Sequence, residues 1–222
     1  MFNDVVNDPA TFIALGSVFM SSAIGGAEAV VLNASAALTI GGIKAYESIN
    51  NTDLGRPFLA LAFVNFATAT SIGYHTFSDL KNVDEMITPL SLTAAYCFWG
   101  LRSVMLTHQQ LKGKKPEGFK DDPHFYQGLG ALATTRGEVL PAVFSGLGIG
   151  RTLLKKGKER GFLMEHFTAP RAYSAQYAIS AAIAPNAEIA AAFLVWSWAF
   201  SRFDRKLNSE LVEKVQNHFD PK

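Results

Sequence analysis

Long apolar stretches without charge alternate along this chain with short, strongly polar connections. No Lys, Arg, Asp or Glu lies between Asp8 and Glu28, between Glu28 and Lys44, between Arg56 and Asp79, or between Met86 and Arg102. Between Ala172 and Arg202 only Glu188 interrupts. A helix with one wet face spreads polar residues along that face, and these gaps leave little room for one. The pattern predicts an all-α fold: a polytopic transmembrane helical bundle with discontinuous or re-entrant helices, forming one integral membrane domain over residues 1–222.

The apolar segments run over about 11–43, 57–78, 87–107, 124–154 and 172–203, with an amphipathic C-terminal helix over 204–219. Thr11–Ile43 would be about 50 Å long as one helix, against a hydrocarbon slab of about 30 Å. It therefore tilts past the slab or breaks at Gly25-Gly26, where helix propensity is lowest. Pro57–Ser78 has the length of one crossing and opens with a proline suited to a first helical turn. The third segment ends near Arg102, which can snorkel to an interface. Arg136-Gly137-Glu138 and Pro141 interrupt 124–154, favouring a hairpin or a shallow pair over a simple span. Pro185 kinks or splits the last segment. In the tail, Leu207, Leu211 and Val215 make one apolar stripe among charges.

Charge adds a direction to this pattern. The formal net charge is only +1, but the basic residues gather in 112–120, in 151–171 and after Arg202. The positive-inside tendency puts those loops and the C-terminus on the cytoplasmic side of an inner or plasma membrane. Lys155, Lys156, Lys158 and Arg160 lie beside apolar residues and suit anionic lipid head groups. The amino terminus, with Asp4 and Asp8 and no basic residue before them, lacks the pattern of a cleaved leader. The expected partners are the lipid bilayer and other membrane subunits or further copies of the chain, with no nucleic acid. Cys97 is the single cysteine, which excludes an intramolecular disulfide and suits a packing role.

Candidate chemistry rests on the few charges inside apolar stretches. Glu28, Glu138 and Glu188 each sit within three residues of a glycine or proline. A carboxylate at membrane depth ordinarily faces a bundle interior or a wet cavity. Glu28 and Glu188, with Glu138, Arg136, Asn33 and Asn186, are the candidate site for an ion, a proton or a small solute. The equally simple reading is that these groups only fix helices against one another. The histidines offer no geometry for haem or metal ligation, and Gly146–Gly150 lacks the strand and acidic residue of a nucleotide-binding loop. No nucleophile elbow, HExxH pattern or paired CxxC marks an enzyme, and no cofactor is indicated. The leading expectation is transport through an intramembrane carboxylate site. A non-catalytic subunit of a larger membrane complex comes second, and a membrane enzyme acting on a lipid-soluble substrate third.

Overall fold

The structure, a computed structural model, describes residues 8–52, 54–55, 57–78, 83–112, 122–154 and 169–219. Among the described residues the elements are eight helices: α1 (Pro9–Ile24), α2 (Gly26–Asn50), α3 (Phe58–Ser78), α4 (Val83–Lys112), α5 (Pro123–Ala133), α6 (Val139–Leu154), α7 (Ala169–Ala182) and α8 (Ala187–Phe219). Each helix packs on the next in sequence, and α8 returns to pack on α1. The bundle is thus a closed ring, and residues 204–219 continue α8 without a break.

Local chemistry sets the ends of these helices. Asp8 caps α1, its carboxylate accepting from the Thr11 backbone N–H at 3.3 Å and the Thr11 hydroxyl at 3.0 Å, with Pro9 in the first turn. The chain leaves α1 at Gly25 and passes through Gly26 at φ +70, where a Cβ would run into the His75 imidazole. From there α2 folds back along α1. The Asn33 amide lies 2.9 Å from the Ser21 hydroxyl, twelve residues earlier, whereas an unbroken helix would hold them about 18 Å apart. The same amide reaches Thr68 Oγ1 on α3 at 2.8 Å, so one buried side chain ties three helices. Asn51, in the left-handed region at φ 50, ends α2, and the Glu47 carboxylate accepts from the Leu54 N–H at 3.1 Å to hold the connection onward.

The second half repeats this construction. Asp122 caps α5 through the His124 N–H at 2.9 Å, and the α5–α6 turn uses positive φ at Arg136 and Gly137. Between α7 and α8 the helix stops at Pro185, and Asn186 Oδ1 accepts from the Ile189 N–H at 2.9 Å to start α8. Ser174 and Ser197 each donate to the other's carbonyl at 2.8 Å, clamping α7 to α8 as an antiparallel pair.

The core is aromatic. Tyr96, Tyr177, Phe193 and Trp196 are essentially fully buried together with Met20, Ile72 and Leu92. Trp196 meets Trp99 edge-on at 5.1 Å between centroids and Tyr177 at 5.4 Å. Its indole N–H donates to the Ile13 carbonyl at 2.9 Å, and Gly16 leaves the notch on α1 in which the ring lies. Cys97 packs against this core with its thiol pKa raised by burial, as suits a packing residue.

These helices correct the transmembrane expectation. The long apolar stretches are cut into short helices: α1 and α6 have 16 residues and α7 has 14, about 21–24 Å against the roughly 30 Å of a hydrocarbon core. The longest, α4 and α8, carry charges toward their ends, and α3 mixes Asn65, Thr68, Ser71 and His75 into its apolar sequence. Among the described residues only α2 is long and apolar enough to cross a membrane. It keeps Val31, Leu38 and Ile49 exposed, while α1, α3, α4, α5, α7 and α8 contribute to one continuous core. A polytopic bundle needs several spans. The bilayer as partner, the inner- or plasma-membrane location with its cytoplasmic loops, intramembrane transport, the membrane-complex subunit and the membrane enzyme all required them and are set aside.

Two glycines inside helices check this packing by opposite outcomes. Gly16→Ala puts a methyl into the Trp196 ring and should destabilise the fold by about 1–3 kcal/mol. Gly42→Ala, exposed on α2 with open space around it, should stabilise by up to about 1 kcal/mol through helix propensity. Urea titrations followed by circular dichroism measure both, and equal effects would contradict the Trp196 notch.

Candidate ligand cavity

Closing eight helices into a ring leaves a cavity of about 340 Å³, within the size range of small-molecule sites. Ile13 and Ala14 of α1, Ala36 and Ile40 of α2, and Leu61 and Val64 of α3 form one side of its wall. Trp99 of α4, Tyr177 of α7, and Trp196, Phe200 and Phe203 of α8 contribute aromatic surface. The alanines face the space where the aromatic side chains do not meet them.

Most polar groups in the wall already have partners. Ser17 donates to the Ile13 carbonyl at 3.1 Å, Ser103 to that of Trp99 at 3.0 Å, and Asn65 to that of Leu61 at 2.8 Å. Asn33 is taken up by Ser21, Ala29 and Thr68, and Asp8 by the cap on α1. Two side chains of the wall are different. Among the described residues, Arg102 on α4 and Gln127 on α5 make no hydrogen bond or ion pair; both are half-buried, with Arg102 Nε covered. Trp99 Nε1 is also buried without an acceptor, but its edge lies against Gly130 and is not available to a ligand.

Burial lowers the Arg102 pKa to about 10, with no carboxylate contributing, so the guanidinium keeps its charge at neutral pH. Burial pushes the Tyr177 phenol well above its ordinary range, and that of Tyr96 likewise. The Ser17 and Ser21 hydroxyls oppose the Tyr96 shift without closing a hydrogen bond of ordinary geometry. Both phenols are therefore neutral. The cavity thus combines apolar walls, one fixed positive charge and a free amide.

The residues singled out in the sequence fall in different places. Asn33 lines the cavity. Glu28 is exposed at the head of α2, with His75 Nε2 at 3.6 Å from its carboxylate. Glu188 and Asn186 are exposed at the start of α8, and Glu138 is exposed beside the α5–α6 turn. No hydrogen bond or ion pair joins Glu28 to Glu188 or to Arg136. Arg136 instead donates through Nη2 to the Ile183 carbonyl at 2.9 Å and closes the carboxyl end of α7. Lys155, Lys156, Lys158 and Arg160 lie outside the described residues. Among the described residues no group of three His, Cys, Asp or Glu side chains is placed to hold a metal ion.

Arg102 is the residue that sequence reasoning placed differently. Near the end of an apolar segment it can snorkel to an interface; here it is half-buried in the cavity wall with its Nε covered. The helical register held the signal: Leu92, Tyr96, Trp99 and Ser103 follow one buried face of α4, and Arg102 lies three residues after Trp99 beside it.

The Glu28–His75 contact makes a testable statement about charge. A backbone hydrogen bond at Glu28, then the bond and charge of His75, hold the Glu28 carboxyl below its ordinary value. A carboxyl depressed in this way favours the folded state above its unfolded pKa, and that contribution is lost as pH falls through the folded pKa. His75→Ala should raise the Glu28 midpoint yet leave it below the ordinary value, because the larger cause remains. An NMR titration of the Glu28 carboxyl carbon follows it, and no change on removing His75 would show that the pair does not form in solution. No protein-family model, no curated protein and no solved structure matches this chain.

Proposed function

We propose that this chain is a small-molecule-binding protein whose ring of helices encloses a ligand with an apolar body and a hydrogen-bond-accepting group. The observation that carries the reading is the combination of cavity size, aromatic and aliphatic wall, and polar side chains left without partners in that wall. Binding sites for small molecules have this make-up: mostly apolar surface, with few polar groups that fix orientation. A cation half-buried in an apolar wall with no partner among the described residues suggests that its partner is the ligand. The titratable side chains of the wall are Asp8, Arg102 and Tyr177, and nothing among them pairs a nucleophile with a base. The reading is accordingly one of binding.

Trp99 and Trp196 line the cavity and serve as built-in reporters. Two ligand shapes test it: the aliphatic pair decanoate and 1-decanol, and the aromatic pair 1-naphthoate and 1-naphthalenemethanol. At roughly 0.5 kcal/mol per heavy atom, within the range small ligands reach, a ligand of about twelve heavy atoms binds in the tens of micromolar. At least one pair should change tryptophan fluorescence with such an affinity. Ala36→Phe, which fills the cavity from α2, should abolish the change while the circular dichroism spectrum is kept. Absence of binding by all four compounds to the unmodified protein would refute the reading.

A further inference from the structure

We propose that the group recognised in this cavity is a carboxylate and that Arg102 is its counter-ion. The proposal rests on the cavity being a binding site and adds the chemical class of what enters it.

Arg102 is a permanent cation, half-buried in the cavity wall with its Nε covered, and it makes no hydrogen bond or ion pair among the described residues. An unpaired charge held partly out of water is costly, and its removal should stabilise the protein. Arg102 cannot escape the cost by giving up its proton, since its pKa, though lowered, stays near 10. A neutral acceptor such as a hydroxyl or ketone would satisfy one N–H and leave the charge. A monoanion removes both defects together. A phosphate monoester would bring a second negative charge with no second free cation among the described wall residues. The Asp8 carboxylate lines the same cavity but is bound to Thr11, and burial alone sets the Arg102 shift.

Shape agrees with charge. The two Nη groups of a guanidinium offer two parallel N–H bonds, which match the two oxygens of a planar carboxylate. Nε is covered by the protein, so it is this Nη end of the fork, without a partner among the described residues, that can meet the ligand. Gln127 on α5, without a partner among the described residues, gives the wall a second polar group. The aromatic and aliphatic wall then takes the rest of the ligand.

Isothermal titration of the full chain with decanoate, 1-decanol and decyl phosphate, and with 1-naphthoate and its alcohol, tests the assignment. The acid of whichever pair binds should exceed its alcohol at least tenfold, about 1.4 kcal/mol, and decanoate should exceed decyl phosphate. Arg102→Met should bring acid and alcohol level, and Arg102→Lys, with the charge but not the fork, should fall between. Without ligand, Arg102→Met should melt above the unmodified protein. If acid and alcohol bind alike, or if Arg102→Met keeps the preference for the acid, the carboxylate assignment fails while the binding site stands. Tightest binding by decyl phosphate overturns it in favour of a phosphorylated ligand. If no compound binds, the cavity reading fails and the assignment with it.

Discussion

Trp196 joins the two ends of the chain, and the shape of the molecule follows from that junction. Its indole lies in the notch left by Gly16, donates to the Ile13 carbonyl on α1, and meets Trp99 of α4 and Tyr177 of α7 on its faces and edges. A side chain contributed by the last helix thus touches the first, the fourth and the seventh. Phe12 and Trp198 meet across the same junction at 4.1 Å, and without this α1–α8 packing the described helices would be a row with two free ends. With it they are a ring, and a ring encloses space. Trp196 also forms part of the wall of that space, so the closure that builds the fold also builds the cavity.

A ring made of short helices has a cost that long helices avoid. Every break exposes carbonyls and N–H groups that the helix itself no longer satisfies. Here the missing partners come from other helices. The Ser71 hydroxyl on α3 donates to the Gly25 carbonyl at 2.5 Å where α1 ends, and Arg136 donates to Ile183 where α7 ends. Beside the end of α5, the Gln176 amide on α7 donates to the Thr134 side-chain hydroxyl at 3.0 Å, a side-chain tie rather than a cap. Each bond crosses from one element to another that is distant in sequence. Breaks and long-range packing therefore stabilise one another: a helix end is sound only when its neighbour is in place, which makes the ring cooperative.

That dependence explains what the sequence revealed and what it concealed. Gly25-Gly26, Arg136-Gly137 and Pro185 are local signals, and the chain turns at each. So are the caps at Asp8 and Asp122. The medium around the apolar stretches is not local. A run such as Leu90–Leu101 has the same composition whether it faces hydrocarbon tails or Trp196, because both are apolar, and only the packing of distant segments distinguishes them. Glu28 and Glu188 show the same limit. Each belongs to the first turn of a helix, where a carboxylate complements the positive helix end and can remain at the surface. Absence of other charges nearby made them look interior. Arg102 was misplaced in the opposite sense, since only the ring gives α4 an inside for it to face.

Interiors of proteins are packed almost without gaps, so a cavity of 340 Å³ calls for a physical reason. Side chains lining such a space lose the contacts that close packing would give them, so small residues there weaken the fold. Larger side chains at Ala14 and Ala36 would reduce that loss with no change in helix propensity great enough to oppose them. The small residues keep the space open, and Arg102 keeps it polar at one point. Both features weaken the fold when nothing occupies the cavity, and the proposed ligand, an anion with an apolar body, would offset both. Stability alone accounts for neither, and their coincidence in one wall is what the binding proposal rests on.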